Sequence, residues 1–259
     1  MKKLRIILSG AAGRLCTVIA ELVAQRDDCE VVCGVDITGS AAFPIYPSFD
    51  MVTEEADVVI DCSHHTVAGA LSSYLVRTGT PAVICTTGHT EEEEAAIYEA
   101  SKSVAILKSR NMSLGINLLA ELVRRAAEVL GADFDVEVVE AHHRNKIDAP
   151  SGTALMLADA AKEARDELGL DSDYVYERAS RREKRGDSEI GISSIRGGTI
   201  VGEHSVVFAG SNEVITLSHR AENRDLFATG ALRAAFFITS RPSGLYTMSD
   251  VIGSLRLRA

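Results

Sequence analysis

One short stretch near the start constrains the fold most. An apolar run, residues 4–9, breaks at Gly10-Ala11-Ala12-Gly13 and resumes with apolar residues at helical spacing: Leu15, Val18, Ile19, Leu22 and Val23. A buried strand turning on glycine straight into a helix is the opening of a βαβ crossover. The alternation then repeats. Residues 30–35, 56–60, 82–85 and 104–107 read as strands, with helices over 14–26 and 66–78 and another starting at the acidic 91–94. Negative charge in a first turn suits the helix dipole. The strands are continuous apolar runs rather than alternating ones, as expected when helices cover both sheet faces. The expected fold class is therefore α/β, a Rossmann-type doubly wound parallel sheet.

The character changes after about residue 112. A long helix is expected over 114–130, a strand over 134–141, and a helix over 151–168 capped by Ser151 and stopped at Gly169. The stretch 174–187 is charged, and its part 178–185 reads as a solvated loop, with the alternative that its arginines edge a substrate pocket. Three strand-like runs follow, 190–196, 204–209 and 214–219, without intervening helices. Such a run implies an antiparallel or mixed sheet, hence a second domain of α+β type. A last helix, 224–239, is expected to return to the first domain.

The formal net charge of −10 repels nucleic acid and anionic membrane on average, so neither is an expected partner. An anionic small molecule would need a local basic pocket. No apolar run approaches the roughly 20 residues of a membrane span. The first residues carry Arg5 within a short apolar stretch and turn on glycine at once, unlike a secretion signal. The five cysteines (Cys16, Cys29, Cys33, Cys62, Cys85) are odd in number and contain no Cys-x-x-Cys pair, which points to reduced thiols and a cytoplasmic chain.

The glycine turn is a candidate dinucleotide site: Gly10 permits the turn, Gly13 admits a pyrophosphate, and the helix start offers amides to it. Gly10, Ala11, Ala12, Gly13, Arg14 and Leu15 are its candidate residues, with Asp36 at the end of the second strand placed to bond a ribose hydroxyl. Asp36 would repel a 2′-phosphate, and Ile37 after it offers no cation, so NADH is expected over NADPH. Two later strand ends, Cys85-Thr86-Thr87 and Ser109-Arg110-Asn111-Met112, should face the same cofactor, because ligands lie outside the carboxyl ends of doubly wound sheets. Cys85 is expected to be a small buried thiol rather than a nucleophile.

The most informative segment is residues 140–154, EAHHRNKIDAPSGTA. His142 and His143 point to opposite faces if the strand stays extended, so one can transfer a proton while the other helps bind an anion. Lys146 is a cation able to give up a proton when desolvated. The amides of Gly152 and Thr153 at a helix start can receive a carboxylate, and the Thr153 hydroxyl adds a donor. His64-His65 is a second histidine pair, but no third ligand stands at a familiar metal spacing, and no metal is expected.

This segment resembles the signature Glu-x-His-His-x-x-Lys-x-Asp-Ala-Pro-Ser-Gly-Thr-Ala of the 4-hydroxy-tetrahydrodipicolinate reductase (dihydrodipicolinate reductase) family. The resemblance extends to Gly10-Ala11-Ala12-Gly13-Arg14-Leu15, Thr86-Thr87-Gly88, Asn111-Met112-Ser113, residues 196–204, Ser218-His219-Arg220-Ala221 and Gly244-Leu245-Tyr246. It implies a dinucleotide-binding domain of residues 1–113 plus 223–259, and a substrate-binding and oligomerisation domain of residues 114–222 in a homotetramer. It implies reduction of a dihydrodipicolinate-type cyclic dicarboxylate by NADH or NADPH in lysine and diaminopimelate biosynthesis. By position, His142 is then the proton donor/acceptor, Lys146 the proton donor, and His143, Gly152 and Thr153 bind a substrate carboxylate. Departures from the family pattern (Cys16, Cys62, His64, Cys85 and Ser109-Arg110) all fall in the cofactor site. The competing readings are a reductase of another cyclic imino dicarboxylate and a dinucleotide sensor without turnover.

Overall fold

The structure is a computed structural model describing residues 2–255. In chain order it runs β1 (Leu4–Ser9), α1 (Arg14–Ala24), β2 (Cys29–Val35), β3 (Ile45–Tyr46), β4 (Val58–Asp61), α2 (Ala68–Thr78), β5 (Ala82–Ile84), α3 (Glu91–Ser101), β6 (Ala105–Lys108) and α4 (Leu114–Leu130). Then come β7 (Asp135–His142), α5 (Gly152–Glu167), β8 (Asp173–Val175), β9 (Glu189–Arg196), β10 (Gly202–Ala209), β11 (Val214–Ala221), α6 (Asp225–Ile238), β12 (Gly244–Tyr246) and α7 (Met248–Leu255). The chain divides into two compact units, Met1–Leu114 with Asp225–Ala259, and Gly115–Arg224.

The first unit is a parallel seven-stranded sheet in the order β12-β6-β5-β4-β1-β2-β3. Both faces are buried, which is why its strands read as unbroken apolar runs. Ile6 and Leu8 enter one core with α1, α6 and α7, while Ile7 between them enters a second core with α2 and α3. The strand order reverses between β1 and β4, so the glycine turn after β1 lies at the switch point where doubly wound sheets hold ligands. Three elements of this unit escaped the sequence reading. β3 and β12 are too short for any periodicity. α7 did carry a start signal: Thr247 and Asp250 form a capping pair, with the Thr247 amide donating to Asp250 Oδ2 at 2.7 Å.

Gly230 in α6 has a packing role. A Cβ there would lie 1.8 Å from the Met112 carbonyl oxygen. Gly→Ala within a helix ordinarily stabilises by about 1 kcal/mol. Here Gly230→Ala is expected to lower stability by about 1–3 kcal/mol through overpacking. Denaturant unfolding checks this; a neutral or stabilised variant would mean that the backbone at Met112 yields freely.

The second unit is a five-stranded mixed sheet, β11-β10-β7-β9-β8, with β10 antiparallel to β7 and β11, and β9 parallel to β7 and β8. α4 and α5 join Val136, Val138, Ile190, Ile192, Val206 and Phe208 in its core. Residues 178–185 follow β8 as a loop, but Arg185 is not solvated: it donates to Asp135 Oδ1 at 2.8 Å, Glu137 Oε1 at 3.1 Å and the Val136 carbonyl at 3.1 Å. Arg178 pairs with Glu189. Arg185 is stapled to the start of β7 and Arg178 to the start of β9, at the strand ends opposite to His142 and Arg196, so these two do not edge the histidine site.

Candidate functional site

Gly10 adopts φ +76°, and a Cβ there would lie 2.7 Å from the Cys62 carbonyl oxygen, so only glycine lets the turn pass this close to the chain after β4. Gly13 caps α1 without a side chain, and a Cβ there would lie 2.9 Å from the Gly10 oxygen. The helix start therefore presents backbone amides with no side chain over them, which suits a pyrophosphate. Asp36 is drawn to the same turn: Oδ2 accepts from the Ala12 amide at 3.0 Å and Oδ1 from the Thr38 amide at 3.3 Å. A carboxylate has about four acceptor positions, so two remain for ribose hydroxyls. Ala11 is buried in the core, Ala12 and Arg14 are exposed, and Leu15 is half-buried. The residues present fit a dinucleotide.

Leu15, Cys85, Thr86 and Thr87 line one cavity of about 320 Å³, together with Cys62 and His64. Cys85, expected to be buried, is half-buried in its wall because β5 ends one residue earlier, at Ile84. Cys16, in the place of a third glycine, is fully buried, and its thiol donates to the Ser9 carbonyl at 3.3 Å. Thr86 is buried, and its hydroxyl donates to Asp61 Oδ2 at 2.6 Å. Ser63 donates to Asp61 Oδ1 at 2.6 Å. Asp61 thus fixes both strand-end loops, a role the sequence reading missed although a carboxylate closing an apolar strand was visible. Ser109 Oγ donates to the Asn111 carbonyl at 2.8 Å, Asn111 Oδ1 accepts the Ser113 amide at 2.8 Å, and Arg110 is exposed. The Met112 side chain is buried in the core and packs rather than faces a ligand.

The second unit brings together a different chemistry. One face of three neighbouring strands is aliphatic at one end and ionisable at the other. Val136 and Val138 give way to Glu140 and His142 on β7, Ile190 and Ile192 to Ser194 and Arg196 on β9, and Phe208 and Val206 to His204 on β10. The register sets Arg196 beside His142 and His204 opposite Glu140.

Glu140 is 1% exposed and sits at the centre. Arg196 grips it with two nitrogens, at 2.8 and 2.7 Å, His142 Nδ1 lies 2.6 Å from Oε2, and the Ser151 amide donates to Oε1 at 3.1 Å. Burial alone would push this carboxyl up, but the hydrogen bonds it accepts, from Arg196 and His142 first, outweigh it and hold it down at about 2. Arg196 Nη2 also donates to the Asp148 carbonyl at 2.7 Å, which ties down the loop carrying Lys146. The Ala149–Pro150 bond in that loop is cis.

β7 ends at His142, and His143 lies just beyond it, half-buried, with Nε2 accepting from Arg224 Nη2 at 3.3 Å. A guanidinium can only donate, so that nitrogen is the acceptor in this contact. Lys146 is not isolated in an apolar pocket: Nζ pairs with Asp148 Oδ2 at 2.8 Å, and this pairing holds the Asp148 carboxyl below its ordinary value. Ser151 caps α5 as expected, its hydroxyl accepting from the Ala154 amide at 3.2 Å while also bonding His204 Nε2 at 3.1 Å. Gly152 is exposed at the helix start and Thr153 half-buried beside it. Burial and the neighbouring His142 push His204 down to about 4, so it is neutral in neutral solution.

The whole pattern has known counterparts. The family described as "Dihydrodipicolinate reductase, N-terminus" matches residues 4–112, and "Dihydrodipicolinate reductase, C-terminus" matches residues 115–252. A 4-hydroxy-tetrahydrodipicolinate reductase of Caldanaerobacter subterraneus subsp. tengcongensis is 50% identical over 250 residues, covering 96% of this chain and 98% of that one. Its counterpart in Clostridium tetani is 42% identical over 252 residues, covering 96% and 97%. Among solved structures, the dipicolinate-bound dihydrodipicolinate reductase from Paenisporosarcina sp. TG-14 has the same fold, with a TM-score of 0.78 at 23% identity over 95% of this chain and 97% of that one. With both halves of the family matched along the chain and relatives this close across its length, this protein belongs to the dihydrodipicolinate reductase family.

Proposed function

We propose that this protein reduces a dihydrodipicolinate-type cyclic dicarboxylate to tetrahydrodipicolinate, in lysine and diaminopimelate biosynthesis. The observation that carries it is the convergence of His142, Lys146 and the open start of α5 at one end of one sheet: an acid–base pair beside a carboxylate receiver, in a chain half-identical to a relative bearing that enzyme's name. Dipicolinate, held by the Paenisporosarcina protein, is a cyclic dicarboxylate of the same class.

Reduction adds a hydride and a proton to the ring. The hydride would come from a reduced nicotinamide dinucleotide whose pyrophosphate the glycine turn would hold. The chain's own residues do the rest. His143, Gly152 and Thr153 hold a substrate carboxylate, Lys146 delivers the proton, and His142 donates and accepts protons beside it. Gly10 to Leu15, Asp36, Cys85 to Thr87 and Ser109 to Asn111 would hold the cofactor. A sensor without turnover needs neither His142 nor Lys146.

NADH is the preferred cofactor in this reading, because the Asp36 carboxylate stands at the turn where a 2′-phosphate would bring two further negative charges. Loss of nicotinamide absorbance in the presence of freshly generated dicarboxylate tests both points. Oxidation of NADH with a higher kcat/KM than NADPH is expected. A clear NADPH preference overturns the cofactor assignment, and no oxidation of either overturns the reaction. The assembly in this reading is a homotetramer in the cytoplasm. The sheet of the second unit supports it, since the face away from α4 and α5 carries Val139, Ile195 and Val207, half-buried or exposed. Light scattering on the eluting protein gives the subunit number directly.

A further inference from the structure

We propose that Glu140 is the positioning residue of this site: one buried carboxylate that sets the tautomer of His142 and, through the Ser151 amide, fixes the helix start that receives the substrate. The inference rests on His142 as the proton-transfer group and on α5 as the carboxylate receiver.

The geometry is specific. Four donors reach Glu140: two nitrogens of Arg196, His142 Nδ1 and the Ser151 amide. They match the four acceptor positions of an ionised carboxylate, which has no proton to give. His142 must therefore carry its proton on Nδ1, and Nε2 is left to work. A Cβ on residue 202 would stand 3.1 Å from that Nε2, so Gly202 leaves the working nitrogen uncovered. The His204 ring, edge-on with centroids 5.1 Å apart, closes the other side and adds no charge in neutral solution. The ionisable groups about the ring are Glu140 on its own strand, Arg196 on β9, His204 on β10 with His219 behind it on β11, and the Lys146–Asp148 pair in the loop. Of these, the Glu140 carboxylate is the one bonded to the ring.

The same carboxylate reaches the Ser151 amide directly behind the start of α5. Glu140 thereby holds proton donor and anion receiver in one frame, so its loss should affect both kcat and the KM of the dicarboxylate. The cofactor turn shares no residue with it.

Glu140→Gln keeps the shape and removes the charge. It is expected to lower kcat by about 10²–10⁴-fold, as removal of an acid–base group or its orienting partner does. The KM for the dicarboxylate should rise several-fold and that for the nicotinamide should hold within about twofold. Wild-type kcat and a wild-type KM for the dicarboxylate in the variant would overturn the proposal. A second measurement needs neither variant nor turnover: ¹⁵N spectra of histidine-labelled wild-type protein, above the pH at which His142 titrates, should show the Nδ1–H tautomer. A predominant Nε2–H tautomer overturns the assignment even if the variant fails to fold. Absence of dicarboxylate reduction by the wild type would instead count against the enzyme reading and leave the tautomer result to judge Glu140.

Discussion

Lys146→Ala is expected to lower kcat by about 10²–10⁴-fold, the range for loss of a positioned proton donor. Its effect on folding should be small. The partner it abandons, Asp148, has a side chain 59% exposed and returns to water at little cost. Lys146→Arg separates the two roles a cation could have. A guanidinium keeps the positive charge near a substrate carboxylate but does not give up a proton at working pH. Lys146→Arg should thus hold the KM for the dicarboxylate near the wild-type value while kcat falls almost as far as in the alanine variant. If Arg restores turnover, Lys146 only binds, and the proton comes from His142 or water. Steady-state kinetics on the three proteins, with circular dichroism to confirm folding, distinguishes these outcomes.

Arg196→Ala should be the most destabilising single change at the site. It strips both guanidinium contacts from a carboxylate that is fully buried, and breaking a buried pair from one side costs about 3–5 kcal/mol. The pH dependence identifies the cause. Glu140 in the folded protein is held at about 2, below its ordinary 4.5, so its contribution is fully present above pH 4.5 and is lost as pH falls through 2. That contribution is of the order of 3 kcal/mol in the wild type. Without Arg196 the depression weakens or reverses. The stability gap between wild type and variant should therefore be widest near neutrality and narrow towards pH 2–3. Denaturant unfolding across pH measures it. A gap that stays constant from pH 7 to pH 3 would assign the loss to packing of the arginine stem instead of the ion pair. Removing the clamp also frees the Asp148 carbonyl, so turnover should fall together with stability.

Much of this protein is written locally in its sequence. The parallel sheet follows from apolar runs alternating with helices, because a strand buried on both faces must be apolar throughout, as Ile6, Ile7 and Leu8 are. The glycine turn, the Ser151 cap and the stop at Gly169, where φ is +76°, are local backbone requirements, so they too were legible. The order of residues 140–154 was specific enough to identify the chemistry.

What the sequence could not supply is which distant residues complete each local piece. Arg196 lies 56 residues from Glu140, and only the parallel register of β7 and β9 sets it there. His204 reaches the Ser151 hydroxyl through the register of β10 on β7. Glu140 looks from sequence like one more residue of a strand, and its four donors exist only once two strands and a helix start converge. The same holds for Asp61, for Arg185 stapled to β7, and for the two- and three-residue strands β3, β8 and β12, which exist because a neighbour offers them hydrogen bonds. Periodicity and capping report on a residue's own backbone and burial, so the sequence alone determined most of the elements and the candidate groups. Charge compensation in a buried site is a pairwise energy between chain segments far apart, so only the tertiary structure decided which partners hold those groups in their working protonation states.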